Sequence, residues 1–172
     1  MKTIIYLAAS ANGLISNNRN EPDWLSQEYG EGFMTISQRT QAVIMGKTTY
    51  NVLAPDYLPI KEGSLVVLTH NTKAEPAQSN VLFTEDSPEK IIEQLAAKGH
   101  TEAVIIGGTQ TVTAFIKAGL VNEIILVVEP VLFGNGLPLL KDIEQAEYKL
   151  SLLDVNKLNN NTVQLHYSIT NN

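Results

Sequence analysis

The chain has 172 residues, 44% of them apolar and 17% charged, with 12 Lys and Arg against 18 Asp and Glu for a formal charge of −6. That length and composition suit one globular domain with a full core, spanning 1–172, and an acidic balance without a basic run speaks against nucleic-acid partners. The absence of cysteine excludes disulfides and thiol chemistry, and no apolar run reaches the ~18 residues of a membrane helix.

Residues 3–10 read as a buried first strand, turned by Ala11-Asn12-Gly13. No signal-peptide cleavage arrangement precedes it, so the expectation is a cytoplasmic protein without a membrane partner. Residues 16–23 form a polar loop that stops at Trp24-Leu25. Ser26 is the expected N-cap of a helix running to about Arg39, with Phe33 and Ile36 among its apolar positions. A strand at 42–45 leads into a short helix ending near Leu53, and Pro55 and Pro59 bracket a loop. Strands follow at 65–68 and 81–84. Ser87 as N-cap and Pro88 in the first turn open the next helix, whose apolar face is Ile91, Ile92, Leu95 and Ala96 and which Gly99 ends. A strand at 103–106, a helix from about Thr109 to Ala118 and a strand at 123–131 come next, then a loop at 132–138. Residues 149–155 and 163–169 alternate about a turn at 159–161, the pattern of a hairpin. Short apolar strands separated by helices imply an α/β domain. Its central sheet is mostly parallel, with helices on both faces and a C-terminal antiparallel hairpin.

Two junctions carry the chemistry. Ala103-Val104-Ile105-Ile106 breaks on Gly107-Gly108 before Thr109-Gln110, and Ala42-Val43-Ile44-Met45 breaks on Gly46 before Lys47-Thr48-Thr49-Tyr50. Glycine permits close backbone approach, and a helix start offers unpaired N–H groups to an anion. Lys47 adds a point charge suited to phosphate. Two such junctions suit a dinucleotide. Each also fits a tight strand-to-helix turn without a ligand. A third cluster is Asp23 and Trp24 with Glu28 and Glu31 on the helix behind: a carboxylate beside an indole in a dry cleft holds a heterocycle or assists its protonation. The same residues also fit a helix approach, a wet helix face and, for Trp24, core packing. His70, His100 and His166 show no metal-ligand spacing, so no metal is expected. A serine-hydrolase elbow is absent.

These motifs resemble the dihydrofolate reductase-like superfamily, in particular the branch containing the C-terminal reductase domain of bifunctional riboflavin biosynthesis proteins. The resemblance rests on Ile105-Ile106-Gly107-Gly108-Thr109, on Ala118 to Glu123 and on Pro130 to Leu139. Val43 to Tyr50 is similar to the family's Gly-Arg-x-Thr motif with Lys47 for arginine, and Ser10-Ala11-Asn12-Gly13 to its Ser-x-Asp-Gly turn with Asn12 for aspartate. The resemblance implies a reductase using NADPH and a homodimer. Gly46, Lys47 and Thr48 would meet phosphates, Thr69 and His70 the adenosine end, and Gly107, Gly108, Thr109 and Gln110 the pyrophosphate. Ala8, Asn12, Gly13 and Ile15 would border the nicotinamide, beside Ile106. Trp24 and Tyr50 would bind the substrate, a pterin or a ribosylaminopyrimidine. Dihydrofolate reductases carry a pterin-holding carboxylate on the helix after the tryptophan; Glu28 and Glu31 straddle its place, and with Asp23 they are the catalytic candidates, Glu31 first. Ile106 stands where riboflavin-type domains carry glutamate. With no zinc motif preceding this domain, the complete bifunctional enzyme is not expected. The competing reading is a regulatory module that binds nucleotide without turnover.

Overall fold

A computed structural model describes residues 1–19, 21–53, 58, 60–73, 78–143 and 147–170. The expected loop ends Pro55 and Pro59 lie outside these residues. The elements run β1 (Lys2–Ser10), β2 (Leu14–Asn17), α1 (Gln27–Thr40), β3 (Ala42–Gly46), α2 (Lys47–Leu53), β4 (Ser64–Leu68), β5 (Val81–Thr84) and α3 (Pro88–Ala97). They continue as β6 (Glu102–Ile105), α4 (Thr109–Lys117), β7 (Glu123–Glu129), β8 (Gly136–Pro138), β9 (Lys149–Lys157) and β10 (Val163–Thr170).

Eight strands form one sheet in the order β5-β4-β3-β6-β1-β7-β10-β9. Pairing is parallel from β5 through β7, and antiparallel from β7 to β10 and β10 to β9. The near-continuous apolar runs of β1, β3 and β6 follow from burial on both faces. Ile4, Tyr6, Val43, Met45, Val104 and Ile106 enter one core with Phe33 and Ile36 of α1. Their neighbours Ile5, Ala42, Ile44, Ala103 and Ile105 enter a second core, with Ile91 and Leu95 of α3 and Val112 and Phe115 of α4. The expected two-faced α/β architecture and hairpin are therefore present.

One pairing departs from the expected loops. Leu14–Asn17 and Gly136–Pro138 form a small antiparallel ribbon, β2 with β8. An added Cβ on Gly136 would collide with the Ser16 carbonyl, so the close backbone approach depends on glycine. Asn12 fastens the neighbouring turn: its side chain accepts from the Ser10 hydroxyl at 2.8 Å and donates to the Phe133 carbonyl at 2.8 Å. Among the described residues, no helix is long and apolar enough to cross a membrane.

α1 starts at Ser26, whose hydroxyl accepts from the Tyr29 N–H at 3.2 Å, and holds two interior glycines that behave oppositely. A Cβ on Gly30 meets nothing within 4 Å, whereas one on Gly32 would collide with the Tyr6 hydroxyl. Tyr6 cannot yield: it is buried, stacked on Tyr29 and donates to the Tyr29 carbonyl at 3.0 Å. Gly30→Ala should therefore stabilise the protein by about 0.5–1 kcal/mol through helix propensity. Gly32→Ala should destabilise it by about 1–3 kcal/mol through overpacking. Chemical denaturation of the two variants checks the opposite signs.

Candidate functional site

β1 pairs with β6 only through Ile5↔Ile105 but stays paired with β7 as far as Ser10. Past Ile5 the two strands lose contact, and a cleft of about 810 Å³ lies across the C-terminal ends of β1, β6, β3 and β4. Such an edge is where open α/β sheets bind ligands.

At the centre of the cleft the two glycine junctions touch. The Gly46 N–H donates to the Gly107 carbonyl at 2.8 Å. The Gly107-Gly108 peptide is cis, and Gly107 has φ +106°. Gly108 is the N-cap of α4 and supplies no side-chain hydrogen bond to the helix start. The leading N–H groups of α4 are thus left without a side-chain cap at the cleft wall, a local field favourable to an anion. A Cβ on Gly108 would stand 3.8 Å from the Thr49 hydroxyl, in ordinary contact, so glycine keeps this space open rather than relieving a clash. Gly46 is tighter: its Cβ would approach the Thr111 hydroxyl to 2.9 Å. The Lys47 ammonium lies 3.9 Å from the Phe83 ring centre and 4.5 Å from that of Tyr50, a cation held over two aromatic faces at the cleft. An uncapped helix start and a lysine at one cleft wall form a locally positive surface, the kind that suits an anionic group.

On one side, at the ends of β4 and β5, the walls are Thr69, His70, Thr84, Glu85 and Asp86. His70 is exposed, with its Nδ1 3.4 Å from the Glu85 carboxylate. Hydrogen bonds from Lys90 at 2.6 Å and Gln94 at 2.9 Å hold the Asp86 carboxyl below the usual range. On the other side the walls are Leu7, Ala8 and Ile15, then Trp24, Leu25, Tyr29 and Phe33. Trp24 packs edge-on against Phe133 with ring centres 5.1 Å apart.

The cleft gathers Ala8, Ile15, Trp24, Gly46, Lys47, Thr48, Thr69, His70, Ile106, Gly107, Gly108, Thr109 and Gln110. Six other candidates do not line it. Asn12 and Gly13 belong to the turn described above, and Tyr50 is buried edge-on against Phe83. Asp23 is exposed and paired with Arg19 at 3.1 Å. Glu28 accepts from the Asn159 amide at 2.9 Å, and exposed Glu31 accepts from Gln27 at 2.7 Å. The reason is helical phase: within α1, Tyr29 and Phe33 lie four residues apart and line the cleft, so positions 28 and 31 face elsewhere, while Leu25 lines it from the turn before the Ser26 cap. That spacing was readable in the sequence and marks Tyr29 as a site residue the search for carboxylates passed over. Thr111, at the start of α4 after the glycine pair, lines the cleft as its place beside that motif suggests, and Lys141 also lines it, with no local motif to announce it.

Behind the site lies Glu129, 1% exposed at the end of β7. One carboxylate oxygen accepts from the Ser26 N–H at 3.0 Å and its hydroxyl at 2.7 Å; the other accepts from the Thr162 hydroxyl at 3.1 Å. Glu129 thereby ties the start of α1 to β7 and to the turn between β9 and β10. Burial pushes the Tyr29 hydroxyl well above the ordinary tyrosine range; the nearby Glu129 charge adds to the rise and the Ala8 backbone opposes it. Tyr29 is therefore a neutral phenol at any physiological pH.

A parallel sheet with a glycine-lined cleft across its C-terminal edge is the frame of a reductase-like α/β domain. The chain belongs to the RibD C-terminal domain family, whose model matches residues 1–164. Its relatives include the Uncharacterized protein YwjB of Bacillus subtilis, 30% identical with 96% of this chain and 97% of that protein covered. The fold matches that of a Shewanella sp. PV-4 protein provisionally assigned to riboflavin biosynthesis, at TM-score 0.81 and 24% identity, covering 99% of this chain and all of that one. It also matches Acinetobacter baumannii RibD at TM-score 0.78 and 19% identity, covering 98% of this chain and 58% of that one.

Proposed function

We propose that this chain is a nicotinamide-dependent reductase, with NADPH as donor and a small planar heterocycle of the pterin or ribosylaminopyrimidine type as acceptor. The observation that carries the reading is the meeting of Gly46, Gly107 and Gly108 at the start of α4, open to a cleft large enough for a dinucleotide. When bound, the cofactor supplies the hydride. The protein holds the phosphates with the α4 N–H groups, Thr109 and Lys47. Thr69 and His70 stand at the adenosine end. Ala8 and Ile15 flank the nicotinamide, and Trp24, Leu25 and Phe33 keep water from the acceptor. Family membership supports the reaction class.

The test is an NADPH-oxidation assay with dihydrofolate and with the phosphorylated diaminopyrimidine precursor of riboflavin. Turnover of either supports the reading. Saturable NADPH binding without turnover of either would favour the nucleotide-binding module, and no NADPH binding would refute both.

The reading includes a homodimer through the β9–β10 face. β9 is an edge strand with Leu150, Leu152, Leu153 and Val155 exposed by 44–55%. Leu150 pairs with Ile169, Leu152 with Tyr167 and Val155 with Leu165. A register shift between His166 and Tyr167 accommodates Leu153 and so brings Leu152 and Val155 to one face despite their odd spacing. With the partly exposed Leu165 and Tyr167, these side chains form an apolar patch, bounded by Lys157 opposite Val163, that suits a two-fold contact. A second copy presents the same apolar patch and so complements it. Light scattering should give twice the chain mass for the wild type and a monomer for Leu152→Asp. A monomeric wild type would contradict the dimer.

A further inference from the structure

Two asparagines of the chain precede glycine, Asn12 before Gly13 and Asn135 before Gly136. A side chain so placed is open to cyclisation, because glycine bears no Cβ to keep its amide nitrogen away from the preceding carboxamide. Both asparagines are exposed, so solvent access does not separate them. Their hydrogen bonds do. The Asn12 carboxamide oxygen accepts from the Ser10 hydroxyl at 2.8 Å and from the Phe133 N–H at 3.1 Å, and its amide nitrogen donates to the Phe133 carbonyl at 2.8 Å. The nitrogen that would attack it, that of Gly13, donates to the Ser10 carbonyl at 2.8 Å. Asn135 lies in the bend just before β8, and its side chain makes no hydrogen bond to the described residues. Gly136, the attacking residue there, is the first of a three-residue strand. The end of so short a strand opens at little cost.

We propose that Asn135 is a site of spontaneous deamidation, that Asn12 is locked against it, and that the isoaspartate formed at 135 unseats β8. The Gly136 amide gives its proton to solvent and its nitrogen bonds to Asn135 Cγ. Asn135 Nδ2 takes a proton from solvent and leaves as ammonia, and a succinimide ring remains. Water then opens the ring at either of its carbonyls. Cleavage at Cγ gives aspartate; cleavage at the main-chain carbonyl gives isoaspartate. Nothing is oxidised or reduced, and water is the co-reactant. Isoaspartate carries the chain through its side-chain carbon and so lengthens the backbone immediately before Gly136. The ribbon has no slack there: a Cβ on Gly136 would already collide with the Ser16 carbonyl, and Gly136 pairs with Asn17. Leu137 and Pro138 line the cleft, and the Thr109 hydroxyl donates to the Pro138 carbonyl at 2.6 Å, so the strand displaced belongs to the cleft wall.

The test incubates the full chain in warm, mildly alkaline buffer. Peptide mapping by mass spectrometry follows each asparagine, and methyl transfer from S-adenosylmethionine by an isoaspartyl methyltransferase counts the isoaspartate. In the folded chain Asn135 should convert at least about tenfold faster than Asn12, since the Asn12 contacts must open first. In urea the two sites should convert at similar rates, because both precede glycine. Asn135→Gln should remove the methyl acceptor from the folded chain. The isoaspartate form, isolated by chromatography, should melt about 2–4 °C below the fresh protein, the shift that loss of a backbone pairing brings to a chain of this size. Fresh Asn135→Asp, which has the charge without the altered linkage, should melt with the wild type. No conversion at Asn135, equal conversion of both sites in the folded chain, a difference that persists in urea, or methyl acceptance that survives Asn135→Gln would overturn the assignment of the site. An isoaspartate form that melts with the fresh protein, or Asn135→Asp that melts as low as the isoaspartate form, would overturn the unseating of β8.

Discussion

Gly108→Val should raise the dissociation constant for NADPH at least 100-fold, a loss of about 2.7 kcal/mol, while leaving the protein folded. The added side chain starts 3.8 Å from the Thr49 hydroxyl, with room in the apo cleft, and projects over the start of α4 where phosphates would lie. Its effect falls on the ligand. Lys47→Ala should weaken binding less, about tenfold, because it removes one cation whose charge is shared with the faces of Phe83 and Tyr50. Cofactor fluorescence titration ranks the two variants, and circular dichroism shows that both are folded. Equal binding by wild type and Gly108→Val would remove the α4 start from the binding surface.

Glu129→Leu should destabilise the protein by about 3 kcal/mol, because it leaves the Ser26 N–H and the Ser26 and Thr162 hydroxyls without their acceptor behind the site. For a chain of this size that lowers Tm by roughly 6–12 °C. Glu129→Gln should cost much less, about 1 kcal/mol, since its carbonyl still accepts from Ser26 while the Thr162 hydroxyl turns to accept from the amide. The order of the two variants in thermal unfolding separates loss of the hydrogen-bond hub from loss of charge. Equal stability of Glu129→Leu and wild type would mean that the tie between α1 and β7 contributes nothing.

The fold was legible because its signals are local. Ser26, Ser87 and Pro88 announce helix starts, Gly99 an end, and the runs at 42–45 and 103–106 can only be strands buried on both faces. The ribbon of β2 with β8 was not legible: four residues and three residues far apart in sequence carry no period, and their pairing is fixed by Gly136 and by Asn12 reaching Phe133. The meeting of the glycine junctions in the cleft was legible for the same reason as the fold, since Gly46, Gly107 and Gly108 sit at strand-to-helix junctions. The wall that α1 supplies was not. Glu28 and Glu31 are the carboxylates of that stretch, but a helix presents residues by phase, and the phase that puts Phe33 at the cleft puts Tyr29 there too. Glu129 gave no signal at all, because an acidic residue ending an apolar strand looks exposed until Ser26 and Thr162 close over it.

The most direct measurement is the crystal structure of the protein grown with saturating NADP⁺. The account predicts the pyrophosphate against the N–H groups at the start of α4, between Gly46 and Gly108, with the nicotinamide beside Ala8 and the adenosine toward Thr69 and His70. A dinucleotide bound outside this cleft, or a cleft left empty at a concentration that saturates the protein in solution, would contradict it.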